Sequence, residues 1–198
     1  MESKFLGIIL DIASHLKVPT VVIGGLALPA YNVARTTLDI DICIYIKSQD
    51  ELNQFIKILK ENNILTAQNP KVDQDLFTVF GKNNEAEIWL RPCDYFEWDD
   101  QMIKKISPFF ENVSVLSIED FILTKLARAD RSSIDIDDIM QIFIANQKKI
   151  DWDYLNFRLK KYKLKDDFIE VLSASDLEIN ADLQELITKI VSTLKELD

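Results

Sequence analysis

Glycine is scarce in this chain, with four in 198 residues, and cysteine and histidine are scarcer, at two and one. Cys43 and Cys93 lie far apart with no CxxC spacing, and His15 is the only imidazole, so neither a zinc site nor a disulfide framework is expected and both thiols should be reduced. His15 falls on the border of the first helical pattern, which favours packing or exposure over catalysis. No G-x-S-x-G elbow occurs, and no Gly-Lys-Ser/Thr follows a glycine, so a serine hydrolase triad and a Walker loop are both unsupported. Long apolar runs are missing too. Nothing approaches the roughly 20 residues of a membrane span, and the N-terminus lacks a basic region, an uninterrupted apolar stretch and a cleavage site. No membrane partner is expected, and the cytoplasm is the expected location. Positive charge is in short supply, since 23 Lys and Arg against 33 Asp and Glu leave a net charge of -10. That balance argues against a surface coated in nucleic acid, whose binding rests on cations neutralising phosphates.

What is present is ample apolar content, 47% of the chain, enough for a packed core in about one to two domains. Phe5, Ile8, Ile9, Ile12 and Leu16 recur at helical spacing and predict a helix over 3–16 that ends before Pro19. A strand over 20–23 follows, then a short helix over 26–31 with Pro29 in its first turn, and a strand over 38–46. Leu52, Phe55, Ile56 and Leu59 predict a helix over 50–61, and a hairpin joins strands over 76–80 and 85–90. An extended stretch over 114–116 leads into helices near 118–129, 135–147, 151–172 and 181–197. The pattern is of α+β class, a mixed β-sheet with packed helices over 1–108 and a mainly helical C-terminal region over 109–198.

Two of the four glycines stand together at the end of the β-branched run Val21-Val22-Ile23-Gly24-Gly25. A strand that turns tightly through glycines into a helix offers free backbone N–H groups and a helix dipole to a phosphate. After thirteen intervening residues comes Asp39-Ile40-Asp41-Ile42-Cys43-Ile44. Strand alternation projects Asp39 and Asp41 together and turns Ile40, Ile42 and Ile44 to the core. Magnesium binds through one or two carboxylates plus substrate phosphates, which this pair could support.

The glycine pair, the spacer and the acid-apolar-acid triplet resemble the signature of the polymerase-beta-like nucleotidyltransferase superfamily. The segment is similar above all to small nucleotidyltransferases of abortive-infection and toxin-antitoxin systems, with Arg35 and Thr37 ahead of the acids. Ser117 to Leu126, followed by Arg131, Asp135 and Asp138, looks like their later helical motif. The resemblance implies a nucleotidyltransferase-like core whose cleft the helical region completes. It implies a magnesium or manganese ion on Asp39 and Asp41, and transfer of a nucleoside monophosphate from a nucleoside triphosphate to an acceptor hydroxyl with release of pyrophosphate. A third catalytic and metal-binding carboxylate normally comes from a neighbouring strand. Ala86-Glu87-Ile88 has the matching form, with Glu87 as candidate, Glu85 as competitor, and Glu departing from the usual Asp. Gly24, Gly25, Arg35, Thr37, Lys125 and Arg131 are the implied nucleotide-binding residues. The implied acceptor is the 3′ end of a tRNA, with a protein or a small antibiotic as the alternatives, and the implied partner a cognate antitoxin or toxin. A catalytically inactive nucleotidyltransferase-like binding protein is the alternative, kept open by the Glu for Asp departure.

Two further patterns have local explanations. Asp135-Ile136-Asp137 repeats the acid triplet, but it follows Ser132-Ser133, so helix capping accounts for it, unless Asp135 and Asp138 orient Lys125 or Arg131 as the resemblance implies. Lys148, Lys149, Arg158, Lys160, Lys161, Lys163 and Lys165 interleave with Trp152, Tyr154, Phe157 and Tyr162. Such a segment can hold RNA through phosphate contacts and base stacking, or it can be a solvated helix whose aromatics are core.

Overall fold

The computed structural model describes residues 2–93, 95–174 and 181–196. The chain divides into two compact units, Met1–Ala30 with Ala34–Ser117, and Tyr31–Val33 with Ile118–Asp198. Pro108, where the sequence pattern puts the boundary, lies within a strand of the first unit.

In the first unit α1 (Glu2–His15) leads through a turn at Lys17, φ 57°, into β1 (Thr20–Val22). A 3-10 helix (Gly24–Tyr31) follows, then β2 (Asp41–Ile44) and α2 (Gln49–Glu61). Ser48 caps α2, its Oγ accepting from the Glu51 N–H at 3.3 Å, as expected of a serine ahead of an acidic first turn. Strands β3 (Leu65–Thr66), β4 (Leu76–Phe80) and β5 (Glu85–Trp89) come next, then α3 (Asp100–Lys104), β6 (Ser107–Phe110) and β7 (Val113–Val115). The five-stranded sheet has the order β1-β2-β5-β4-β3, with β2 and β5 parallel and the other pairs antiparallel. β6 and β7 form a separate hairpin. The α+β class with a mixed sheet is as the sequence pattern predicts.

Two local expectations are corrected here. The short helix after the glycines starts at Gly24, is of 3-10 type, and carries Pro29 in its second half rather than its first turn. A proline ring clashes with the carbonyl four residues back in an α-helix, and the segment around Pro29 is wound as a 3-10 helix instead, with Ala27, Leu28 and Tyr31 buried. The strand expected over 38–46 covers only Asp41–Ile44, and Asp39 precedes it. Instead of joining a ladder, the Asp39 N–H donates to Thr37 Oγ1 at 3.2 Å.

The second unit is helical: α4 (Ile118–Leu126), α5 (Ser133–Asn146), α6 (Trp152–Tyr162), α7 (Lys165–Ala174) and α8 (Ala181–Glu196). Asn146 of α5 holds the Tyr31–Val33 segment, donating to the Tyr31 carbonyl at 2.7 Å and accepting from Asn32 Nδ2 at 3.2 Å. The single helix expected over 151–172 is two, because Lys163 takes the left-handed conformation at φ 57° and its N–H closes on the carbonyls of Leu159 and Lys160. No glycine or proline announces that break. Residue 197, the expected end of the last helix, lies outside the described residues. Among the described residues no helix is long and apolar enough to cross a membrane.

Candidate functional site

Alternation along β2, β4 and β5 separates two chemistries. Ile42, Ile44, Phe77, Val79, Ala86 and Ile88 point to one face, where they form the core with residues of α1 and α2 such as Ile9, Phe55 and Leu59. The opposite face carries Asp41, Glu87 and Thr78. These three form one row across three strands, since the register sets Asp41 beside Glu87 and Glu87 beside Thr78. The Glu87 N–H also donates to the Ile40 carbonyl at 2.9 Å, which fixes β5 against the start of β2. Glu85 projects to the same face but pairs with Phe80 of β4 and has no partner in the β2–β5 register. Register therefore separates the two glutamates that alternation alone left equivalent.

The glycine pair meets this row. Gly24 has φ +62°, a conformation L side chains rarely adopt, and a Cβ there would lie 3.0 Å from the Asp41 Cγ and closer still to Oδ2. Only a residue without a side chain lets the Asp41 carboxylate sit against the turn. A Cβ on Gly25 would come within 3.1 Å of the Cβ and Cγ2 of Thr37, so the second glycine is the seat of the threonine. The Ile23 N–H donates to the Asp41 carbonyl at 2.9 Å, tying the turn to the strand that carries the acid. Arg35 and Asp39 are exposed, in the irregular segment between the 3-10 helix and β2.

The donor set of this row suits a hard divalent cation, for which one or two protein carboxylates completed by phosphate oxygens are the usual arrangement. Asp41 and Glu87, side by side on parallel strands with a carboxylate-sized cradle at Gly24, match that arrangement. Among the described residues no group of three His, Cys, Asp or Glu is gathered closely enough to hold a metal by itself. Asp39 is thus not assembled with the other two into a ready three-acid cage. The same unit contains an apolar cavity of about 250 Å³ lined by residues such as Val22, Leu26, Phe110 and Val115, with no titratable side chain in its walls.

A model of the family "Nucleotidyltransferase of unknown function (DUF6036)" matches residues 4–189. The chain belongs to this nucleotidyltransferase family. Among curated proteins no sequence matches it. The solution structure of the antibiotic-resistance factor ANT(2'')-Ia is similar with a TM-score of 0.52 at 15% identity, over 83% of this chain and 95% of that one. The crystal structure of JHP933 from Helicobacter pylori is similar with a TM-score of 0.50 at 20% identity, over 98% and 93% of the two chains. Both likenesses are of fold, and they agree with the polymerase-beta-like resemblance of the sequence.

In the helical unit of this family member, the residues assigned to the nucleotide are engaged by acids. Lys125 is buried, with Nζ 2.7 Å from Asp138 Oδ2 and 3.3 Å from Asp135 Oδ1. It therefore does not snorkel to water. Asp135 serves two roles at once. It closes a capping box with Ser132, whose N–H and hydroxyl donate to Oδ2 at 3.1 and 2.9 Å, and it pairs with Lys125 through Oδ1. Burial pushes the Asp135 pKa up, but the Ser132 hydrogen bonds and the charges of Lys125 and Arg128 outweigh it and hold the carboxyl below its usual range. Arg131 donates to the Leu126 carbonyl at 2.7 Å and pairs with Asp167 at 3.0 Å. Nothing local in the sequence announces Asp167, which lies 36 residues further on.

The basic and aromatic segment is divided by the fold. Arg158 is fully buried, its Nε 2.9 Å from Asp120 Oδ1, a close charge pair without hydrogen-bond alignment. The Tyr154 hydroxyl donates to the other oxygen of Asp120 at 2.8 Å, and the Arg158 guanidinium lies 4.9 Å from the Tyr162 ring centroid. Lys165 is buried as well. What remains exposed is Lys148, Lys149, Lys160, Lys161, Lys163 and Phe157. Arg158 and Lys165 thus leave the set of RNA-facing residues, because a buried guanidinium needs an internal carboxylate and Asp120 supplies it.

Proposed function

We propose that this protein transfers a nucleoside monophosphate from a nucleoside triphosphate to an acceptor hydroxyl and releases pyrophosphate. The observation that carries the reading is the placement of Asp41, in register with Glu87 and seated against the left-handed Gly24. The close approach of the Gly24 backbone to the Asp41 carboxylate is what the reading uses, since it puts backbone N–H groups next to an acid. Asp41 and Glu87, with Asp39 as the further candidate, would hold a magnesium or manganese ion, which would supply neutralisation of the triphosphate charge. The backbone of Gly24 and Gly25 positions the phosphates, and Thr37 holds the turn in shape. The acceptor oxygen forms a bond to the α-phosphorus while the bond to the β-phosphate bridging oxygen breaks. The hydroxyl proton passes to a carboxylate of the row, and the leaving pyrophosphate takes the electron pair of the broken bond. Arg35, Lys125 and Arg131 complete the proposed nucleotide contacts.

The proposed acceptor is the 3′ end of a tRNA, and the exposed lysines around Phe157 favour RNA over a protein. The corresponding setting is a toxin-antitoxin or abortive-infection system, with a cognate partner, in the cytoplasm. A second reading is a binding protein of the same fold that does not turn over, favoured by Glu87 in place of the usual Asp. Incubation with each labelled triphosphate, magnesium, total RNA and cell protein separates the readings. Label in the RNA fraction supports the tRNA acceptor, label in protein redirects it, and binding without any labelled product leaves the second reading.

A further inference from the structure

Each glycine of the pair lies against one acid, by a different route. Asp41 meets the turn directly, since a Cβ on Gly24 would lie 3.0 Å from its Cγ. Asp39 meets it through Thr37. A Cβ on Gly25 would come within 3.1 Å of Thr37 Cβ and Cγ2 and 3.4 Å of Oγ1, so the threonine side chain covers the second glycine with its methyl and its hydroxyl together. That same hydroxyl oxygen accepts from the Asp39 N–H at 3.2 Å. Thr37 is half-buried while its neighbours Arg35, Thr36, Leu38 and Asp39 are exposed, so it fastens this irregular segment to the turn.

A carboxylate that serves a metal has to be held to within about 0.5 Å of its working place, and the two acids are held differently. Asp41 belongs to β2, which β1 flanks on one side and β5 on the other. Asp39 precedes the first residue of β2 and lies outside that ladder. For its backbone, Thr37 takes the part that a neighbouring strand plays elsewhere, supplying an acceptor to the N–H. We propose that Thr37 is the positioning residue for Asp39, its methyl resting on Gly25 and its hydroxyl fixing the backbone that carries the acid. The glycine pair is then one reference for both carboxylates, Gly24 for Asp41 and Gly25, through Thr37, for Asp39. Serine lacks the methyl and valine lacks the acceptor, so the two halves of the device can be removed one at a time. This rests on the reading of the acids as the metal and triphosphate site, and it gives Thr37 an action through Asp39 in place of a contact with the nucleotide.

The experiment is calorimetric titration of the whole chain with each of the four ribonucleoside triphosphates, once with magnesium and once with a chelator in its place. The proteins are wild type, Thr37→Val, Thr37→Ser, Asp39→Asn and the double variant of Thr37→Val with Asp39→Asn. Thr37→Val keeps the shape on Gly25 and removes the acceptor. It should weaken the preferred triphosphate roughly threefold to tenfold in magnesium and leave the affinity in chelator unchanged. Urea unfolding should stay close to wild type, because the Asp39 N–H that it frees lies in an exposed segment and turns to water. Asp39→Asn should show a loss of the same kind, and the double variant should lose no more than Asp39→Asn alone, as expected of residues that act through one group. Thr37→Ser keeps the acceptor and should recover most of the affinity. Equal losses with and without magnesium would make Thr37 a direct nucleotide contact and overturn the proposal. Additive losses in the double variant, wild-type affinity in Thr37→Val, or a Thr37→Ser as weak as Thr37→Val would each overturn it too. If wild type gains no triphosphate affinity from magnesium, the metal and triphosphate reading falls and this inference with it. If wild type gains and Asp39→Asn or Thr37→Val is indifferent, the inference alone falls.

Discussion

Replacement of Gly24 by alanine tests whether the glycine turn exists to seat the Asp41 carboxylate. Two costs add. The backbone at φ +62° charges an L residue about 1–2 kcal/mol, and the new Cβ would overlap Asp41 Oδ2 and lie 3.0 Å from Cγ, so the carboxylate must turn away. A displacement of that kind resembles overpacking, which costs typically about 1–3 kcal/mol. The expected loss for Gly24→Ala is therefore about 2–5 kcal/mol in urea unfolding, with loss of transfer. The two costs separate in a double-mutant cycle. In Asp41→Ala the nearest remaining Asp41 atom is Cβ, at 3.2 Å from the added methyl, and only the backbone cost of about 1–2 kcal/mol should persist. Gly24→Asn, which tolerates the left-handed region, should recover backbone strain without restoring transfer. The reasoning is refuted if Gly24→Ala costs as much in the Asp41→Ala background as in wild type, or if it retains full stability and turnover.

Asp41→Asn should abolish transfer measured with labelled triphosphate while leaving the unfolding midpoint equal to or above wild type. Asp39→Asn should also abolish transfer, and full turnover in both variants would remove the acids from the chemistry. Lys125→Ala leaves Asp135 and Asp138 buried without their shared cation, and urea unfolding should register a loss of about 3–5 kcal/mol; a loss near zero would mean the pairs contribute nothing. Because the folded Asp135 carboxyl titrates below its unfolded value, its stabilisation is complete above the unfolded pKa, about 3.9, and disappears as pH falls through the lower folded value. Unfolding midpoints from about pH 2 to 6 should therefore show a shallower acid limb in Asp135→Asn than in wild type, and identical limbs would contradict the assignment. Charge reversal at Lys160, Lys161 and Lys163 should lower affinity for an unstructured RNA and reduce its salt slope by about one unit for each phosphate no longer neutralised, with triphosphate affinity unchanged. An unaltered slope would make α6 a solvated helix and shift the acceptor toward a small molecule or a protein.

Local chemistry, legible in order along the chain, determined a good part of this protein. A β-branched run ending in two glycines, an acid-apolar-acid triplet at a fixed distance, and a serine ahead of an acidic helix start each report on backbone conformation within a few residues. From these the α+β class, the hairpin at Gly81 to Asn84 and the polymerase-beta-like resemblance could be read. Tertiary structure decided what depends on residues distant in sequence. Alternation placed Glu85 and Glu87 on one face, but only the pairing of β2 with β5 set Glu87 beside Asp41 and left Glu85 outside that register. Alternation puts Trp89 on the face of Glu87 too, and only the pairing set it beside Cys43 of β2. Asp39 fell out of the strand because its N–H found Thr37 rather than a neighbouring strand. Arg158 reads as one cation among many until α6 packs on α4 and Asp120 becomes its partner, and Lys163 breaks a helix with no glycine or proline to signal it. Periodicity records which way a side chain points, whereas the partner it meets is settled only when elements far apart in the chain are packed together.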